Sequence, residues 1–255
     1  GMGFFNSNFA PVYDEQKNIY PDLLKELEEA GDALSASAYI PAASDFIYGG
    51  DVAKWKKFAN SLMLRLGMRL QKVDENAAKA WVAKAISRGV MSNNTETFAI
   101  KHSGGANNQM NANSFNLGGP SRQEVSKGGI QWSATLINRM KARQDPRLTV
   151  IAILKNGDNS FAAQKGLPNG LDGNTVLAAT GETTADAFSR PNSIIYDVDD
   201  PNMFMTHAEV RFLTAEAIER GWVAGNAENE YKAGQAAALA QMASYGAGAS
   251  IGDPA

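Results

Sequence analysis

The chain has 255 residues and 44% hydrophobic content, enough apolar mass to close a core as one large domain or two small ones. A formal net charge of −3 leaves no basic surplus and so argues against a general nucleic-acid binder, while the absence of Cys excludes disulfides, thiolate metal sites and a cysteine nucleophile. The most continuous apolar run, LTVIAIL at 148–154, is of strand length and far below the roughly 20 residues that span a bilayer.

Taken in order, residues 3–16 show no periodicity and read as an extended lead-in. The spacing predicts a helix over 19–34, with Pro21 in its first turn and Leu23, Leu24, Leu27 and Ala30 on the buried side. Residues 39–50 read as a loop. The strongest pattern is DVAKWKKFANSLMLRLGMRLQKV at 51–73, which Asp51 opens as an N-cap. Trp55, Phe58, Leu62, Leu66 and Leu70 recur at three- and four-residue steps, and Met63 and Met68 broaden that stripe. Lys54, Lys56, Lys57 and Lys72 fall on the expected wet side. Arg65 and Arg69 lie beside the apolar face, where an arginine either snorkels outward or requires a carboxylate. A second helix is predicted over 75–88 from Ala78, Trp81, Val82, Ala85 and Ile86, stopped by Gly89, which completes a helical hairpin.

From 91 to 129 the periodicity dissolves, and 103–119 is rich in Gly, Asn and Ser. Loops of this length are uncommon inside a domain unless functional or disordered. An amphipathic helix is predicted over 130–142 (Ile130, Leu136, Ile137, Met140), ended by Asp145-Pro146-Arg147. The 148–154 run is the best strand candidate, and 156–200 is a second loop-rich stretch with one short apolar patch, Ile194-Ile195-Tyr196. Helix resumes over 205–222 with Met205, Ala208, Phe212, Ala215, Ile218 and Trp222 on its stripe and Gly221 at its end. A partner helix is predicted over 227–245 with Tyr231, Ala233, Ala236 and Leu239 inward. This pair resembles a tetratricopeptide repeat, and 52–89 shares its plan more loosely. Two such units are fewer than the three an autonomous solenoid needs, so they must lean on other structure.

Three segments appear in a characteristic order: KWKKFANSLMLRLGMRL at 54–70, DPRL at 145–148, and MTHAEVRFLTAEA at 205–217 followed by Gly221-Trp222. In this order they resemble the SusD/RagB family of Bacteroidetes outer-membrane nutrient-binding lipoproteins, over most of 20–246. The resemblance implies a mostly α, SusD-like fold with little β. A single domain over 1–255 is expected, in which helix pairs near 52–89 and 205–245 form the scaffold and a loop-rich ligand-binding part lies near 91–200. It implies a non-enzymatic protein on the cell outer membrane, surface-exposed and lipid-anchored at full length. Such a protein captures glycans, or in some members peptides, and passes them to a SusC-like TonB-dependent outer-membrane transporter. Gly1 ahead of Met2 reads as a cloning remnant, and the chain carries no lipoprotein signal or anchor Cys. It is also shorter than typical members, so it is expected to be a fragment. A helical-repeat adaptor for a protein partner is the competing reading.

Most motif residues read as structural. Arg65 is expected to form an ion pair with Glu209 or Glu216, since each carboxylate sits beside the apolar stripe of 205–222. A catalytic role for that acid pair fits poorly. Seven helical residues separate them by roughly 10 Å, outside the roughly 5–9.5 Å of glycosidase pairs. Asp197, Asp199 and Asp200 are open to two readings, solvated turn acids or ligands for a cation such as Ca²⁺. His102 and His207 are the only histidines, and neither sits in a metalloprotease or serine-hydrolase motif. No cofactor is implied, because the Gly246-Ala247-Gly248 sequence follows a helix and has Ile251 where a dinucleotide loop requires its third glycine.

What remains is a binding surface. Sugars are recognised by aromatic faces on their C–H side and by amides and charged groups on their hydroxyls. The 107–132 region carries those types, including Asn113, Phe115, Arg122 and Trp132. It reads either as the ligand site or as a solvated Asn/Gly loop with Trp132 buried under its own helix.

Overall fold

The computed structural model describes residues 13–35, 39–104, 110–118, 130–171 and 175–251. It is mostly helical, and the chain divides into two compact units, residues 1–98 with 205–234 and residues 99–204 with 235–255. No helix among the described residues is long and apolar enough to cross a membrane.

The first unit is organised by helix α2 (Val52–Arg69), which packs against α1 (Gln16–Ala33), α3 (Glu75–Ser87) and α8 (His207–Glu219). Asp51 caps α2 by accepting from the Lys54 N–H at 3.1 Å. The most deeply buried face of α2 is not the Trp55–Phe58–Leu62 stripe but the adjoining one, with Asn60, Met63 and Leu64 at 0% exposure. Neighbours on three sides account for this, because α2 is enclosed rather than laid on one surface. Gly67 permits the tight crossing with α3, since a methyl there would meet Val82 Cγ2 at 3.1 Å and Trp81 Cβ at 3.3 Å. Leu24, Met63, Leu64, Val82, Met91, Val210 and Trp222 belong to one continuous core. Each fully buried Leu or Met there contributes about 1.5–3 kcal/mol.

Polar residues on α2 tie down the chain after α3. Asn60 Nδ2 donates to the Arg88 and Gly89 carbonyls at 3.1 and 2.8 Å, satisfying acceptors that the helix end leaves open. Ser61 Oγ accepts from the Met91 N–H at 3.0 Å, and Lys57 Nζ donates to Glu96 Oε1 at 2.5 Å. Lys57 therefore departs from the wet face expected of it, drawn inward by a carboxylate only 6% exposed.

The 39–50 stretch is likewise more ordered than a plain loop. Asp45 Oδ2 accepts from Trp55 Nε1 at 2.7 Å and from the Gly50 N–H at 2.8 Å, while Oδ1 accepts from the Ile47 and Tyr48 N–H groups at 3.1 Å. Burial pushes this carboxyl up, but the four donors outweigh it and leave its pKa below the ordinary range. Above it, Phe98 stacks on Phe58 with centroids 4.0 Å apart, and Tyr48 meets Trp55 edge-on at 5.2 Å.

Helix α9 (Ala227–Ala240) follows α8. Its buried positions are Gly234 and Ala237, whereas Tyr231 is exposed, with its ring 5.4 Å from that of Phe212. The inward set expected from Tyr231 and Ala236 is thus rotated. Phe212 comes so close to α9 that a methyl at 234 would lie 2.7 Å from its Cε1, and only the backbone of a glycine fits there.

The second unit takes in all but the first residue of β1 (Phe98–Ile100), then α4 (Ala112–Gly118), α5 (Ala134–Ala142), α6 (Leu148–Ile151), β2 (Ala152–Ile153), α7 (Val176–Thr180), β3 (Arg190–Pro191) and all but the last residue of β4 (Asn202–Met205). Strand β1 pairs with β4, and β2 pairs antiparallel with β3 through Ala152–Pro191 and Ile153–Arg190. The expected 148–154 strand is mostly one helical turn. Asp145 sets it up, accepting from the Arg147 N–H at its side chain and from the Leu148 N–H at its carbonyl, and only Ala152 and Ile153 extend. Here local hydrogen bonding overrides β-propensity. Ile137, Met140, Leu148 and Ala152 form a small core, with Trp132 and Phe161 packed against it. Helix α5 begins at Ala134, four residues later than the sequence pattern suggests, because the hydroxyl of the preceding Ser133 caps it by accepting from the Leu136 N–H.

Candidate ligand groove

Within the second unit, Ser114 from α4 and Asn192, Ser193, Ile194, Tyr196, Asp197 and Val198 from the turn after β3 line an open groove of about 490 Å³. That lies within the size range of small-molecule sites. The two walls are about 80 positions apart in sequence and are joined by one buried residue, Asn111. Its N–H donates to the Val198 carbonyl at 2.9 Å and its Nδ2 to the Asp200 carbonyl at 3.0 Å. Its own oxygens then start α4, the side chain accepting from the Asn113 N–H at 2.8 Å and the carbonyl from Ser114 Oγ at 2.7 Å.

The floor is fixed from behind. The Asn192 N–H donates to the Ile151 carbonyl at 3.0 Å, and Trp132 Nε1 donates to the same oxygen at 2.9 Å. Ile194 rests against the turn at Gly248, where a methyl would meet its Cδ1 at 2.7 Å. At the acidic end, Asp200 Oδ2 accepts from the Asp197 N–H at 2.7 Å. Asp200 is buried, and its pKa is raised chiefly by that burial, with the Asp197 and Asp199 carboxylates adding to the rise and the Asp197 N–H opposing it. Asp197 and Asp199 remain exposed, and no cluster of three or more His, Asp or Glu with metal-ligating geometry occurs among the described residues.

Of the residues singled out from sequence, Asn113 is exposed on α4 beside Ser114. The side chain of Phe115 and the whole of Arg122 lie outside the described residues. Trp132 does not line the groove: it stands behind Asn192, its indole N–H occupied by Ile151. In the first unit, Arg65 Nε and Nη2 donate to Glu209 Oε1 and Oε2 at 2.6 and 2.5 Å, a bidentate, half-buried pair. Glu216 accepts from Arg220, the residue that closes α8, at 2.7 Å, and among the described residues no ion pair joins it to Arg65. Ser114, Asn192 and Ser193 carried no local signal. Tyr196 and Asp197 stood out in the sequence, but as an isolated aromatic and a turn acid.

The chain matches, over residues 4–250, the profile of a SusD-like family described as starch-binding and associating with the outer membrane. The chain belongs to the SusD-like family. Solved structures agree. A chitin-binding protein shares 30% identity and superimposes with a TM-score of 0.80, the match covering 95% of this chain and 52% of the other. A chitin-binding SusD homologue from Flavobacterium johnsoniae shares 28% identity with a TM-score of 0.70, covering 94% and 46%. A SusD homologue from Bacteroides uniformis shares 28% identity with a TM-score of 0.74, covering 91% and 46%. The chain thus spans about half the length of these SusD-like relatives. Among proteins of curated function, none matches it.

Proposed function

We propose that this chain is the glycan-capturing part of a non-enzymatic, surface-exposed and lipid-anchored outer-membrane protein that delivers oligosaccharide to a TonB-dependent transporter. The observation that carries the binding reading is the groove. Tyr196, Ile194 and Val198 offer apolar surface to the C–H faces of sugar rings, while Ser114, Ser193, Asn192 and Asp197 offer hydroxyl, amide and carboxylate groups to ring hydroxyls. Membership of a family described as starch-binding, and the chitin-binding relatives, support a glycan as the occupant. Asn113 and Phe115 of α4 are proposed as further ligand contacts, and Trp132 is proposed to steady the groove wall through the Ile151 carbonyl that it shares with Asn192. The transporter partner and the anchor rest on the family resemblance.

Calorimetric titration with starch- and chitin-derived oligosaccharides tests the reading. Binding is expected, and Tyr196→Ala should weaken it by about two- to tenfold, in line with the roughly 0.5–1.5 kcal/mol of a ring contact. Absence of binding to both series, or binding that ignores both Tyr196→Ala and Asn192→Ala, would show that the groove is not a glycan site.

A further inference from the structure

We propose that Asp197 makes this groove selective for neutral and amine-bearing oligosaccharides and against acidic ones. The inference rests on the glycan reading of the groove and adds a substrate class to it. Among the described residues that line the groove, Asp197 alone carries a formal charge, and none is Lys or Arg. Its backbone N–H is held by Asp200 and its Oδ1 accepts from the Val198 N–H at 2.7 Å, which fixes the carboxylate at the edge of the site. No Lys or Arg pairs with Asp197, Asp199 or Asp200 among the described residues. Among the described residues, the carboxylates of this turn thus have no cationic partner.

A sugar hydroxyl can donate to such a carboxylate in a charge-assisted hydrogen bond, and a protonated amino group can do so with an added Coulomb attraction. A uronate or sulfate ester brings a second negative charge and no donor of equal strength. At contact distance in a water-exposed site this like-charge cost is about 1 kcal/mol, and it fades as salt screens it. That energy corresponds to about a fivefold difference in dissociation constant per charge in contact.

The experiment measures dissociation constants for three short oligosaccharide series at low and high salt: N-acetylglucosamine oligomers, their de-N-acetylated counterparts, and oligogalacturonates. The wild-type chain is compared with Asp197→Asn and Asp197→Lys. Asparagine preserves the Oδ1 acceptor for Val198, so the turn is retained. The readout is the ratio of affinities between series, which a uniform loss of folding or binding leaves unmoved. In the wild type the order should be amine-bearing, then neutral, then acidic, with the spread narrowing at high salt. Asp197→Asn should compress the acidic-to-neutral ratio by about fivefold, and Asp197→Lys should invert it. Asp199→Asn, outside the lining, should move the ratio less. Oligogalacturonate binding as tight as neutral binding, or a ratio indifferent to Asp197→Asn and Asp197→Lys, overturns the selectivity while leaving a glycan site in place. Failure of every series overturns both.

Discussion

Trp132 and Asn192 converge on one acceptor, the carbonyl oxygen of Ile151, at 2.9 and 3.0 Å. The indole comes from the start of α5 and the amide from the turn that lines the groove, so the short helix α6 holds both through its last residue. A carbonyl has two lone pairs, and here both are engaged by protein donors. The ring of Trp132 also packs against the Ile137–Leu148 core, which couples that core to the groove wall.

Replacing Trp132 by Phe keeps most of the ring and removes one donor. The expected cost is about 1–2 kcal/mol of stability, from the lost hydrogen bond and a small packing defect. Oligosaccharide affinity should fall by a few-fold although position 132 does not line the groove. Chemical denaturation and titration of the same variant check this. A stability loss with unchanged affinity would separate Trp132 from the site.

The Arg65–Glu209 pair is bidentate and half-buried, intermediate between surface pairs worth little and buried pairs dominated by desolvation. A double-mutant cycle with Arg65→Met and Glu209→Gln should give a coupling of about 1 kcal/mol, and each single variant should cost more than the double. The same cycle on Arg65 and Glu216 should give none, since Glu216 bonds Arg220.

His207 gives the first unit a pH dependence. It is buried, and its Nε2 accepts from Arg211 Nε at 2.9 Å, which requires the neutral ring. Burial lowers its pKa and the Arg211 charge adds to the fall, against weaker opposition from Glu96 and Glu230. The unfolded chain, with an ordinary imidazole near about 6.5, then binds more protons than the folded one. Stability should be full above about pH 6.5 and decline as pH drops below it, until the folded-state pKa is reached, by at most about 1.4 kcal/mol per pH unit. Glu96, held low by Lys57 and Ser92 despite its burial, loses its contribution only in a more acidic range. Urea unfolding at pH 7.5 and 5.5 should show the decline, and His207→Gln, which retains an acceptor for Arg211, should flatten it.

The helical scaffold was legible because its information is local. Apolar spacing, Asp51 as a cap, and Gly89 and Gly221 at positive φ mark the helices and their ends within a few residues of each boundary. Burial depth was less legible. Asn60 and Ser61 interrupt the pattern of α2 yet are fully buried, because their partners at Arg88, Gly89 and Met91 lie one hairpin away. The groove was least legible of all. Asn111 brings Ser114 to Val198 through hydrogen bonds spanning nearly 90 positions, and no periodicity records a contact of that kind. Glu209 and Glu216 both lie beside the apolar stripe, and the one local mark that separates them is Arg220, four residues after Glu216, which pairs with it and leaves Glu209 to Arg65.

The missing methyl at Gly234 ties two positions together. Because the Phe212 ring occupies the space a side chain would need, the two residues share one fixed volume: any atom added at 234 has to be removed at 212. The separation of α8 and α9 at that point is thus a joint property of the pair, and neither position is free to vary unless the other compensates.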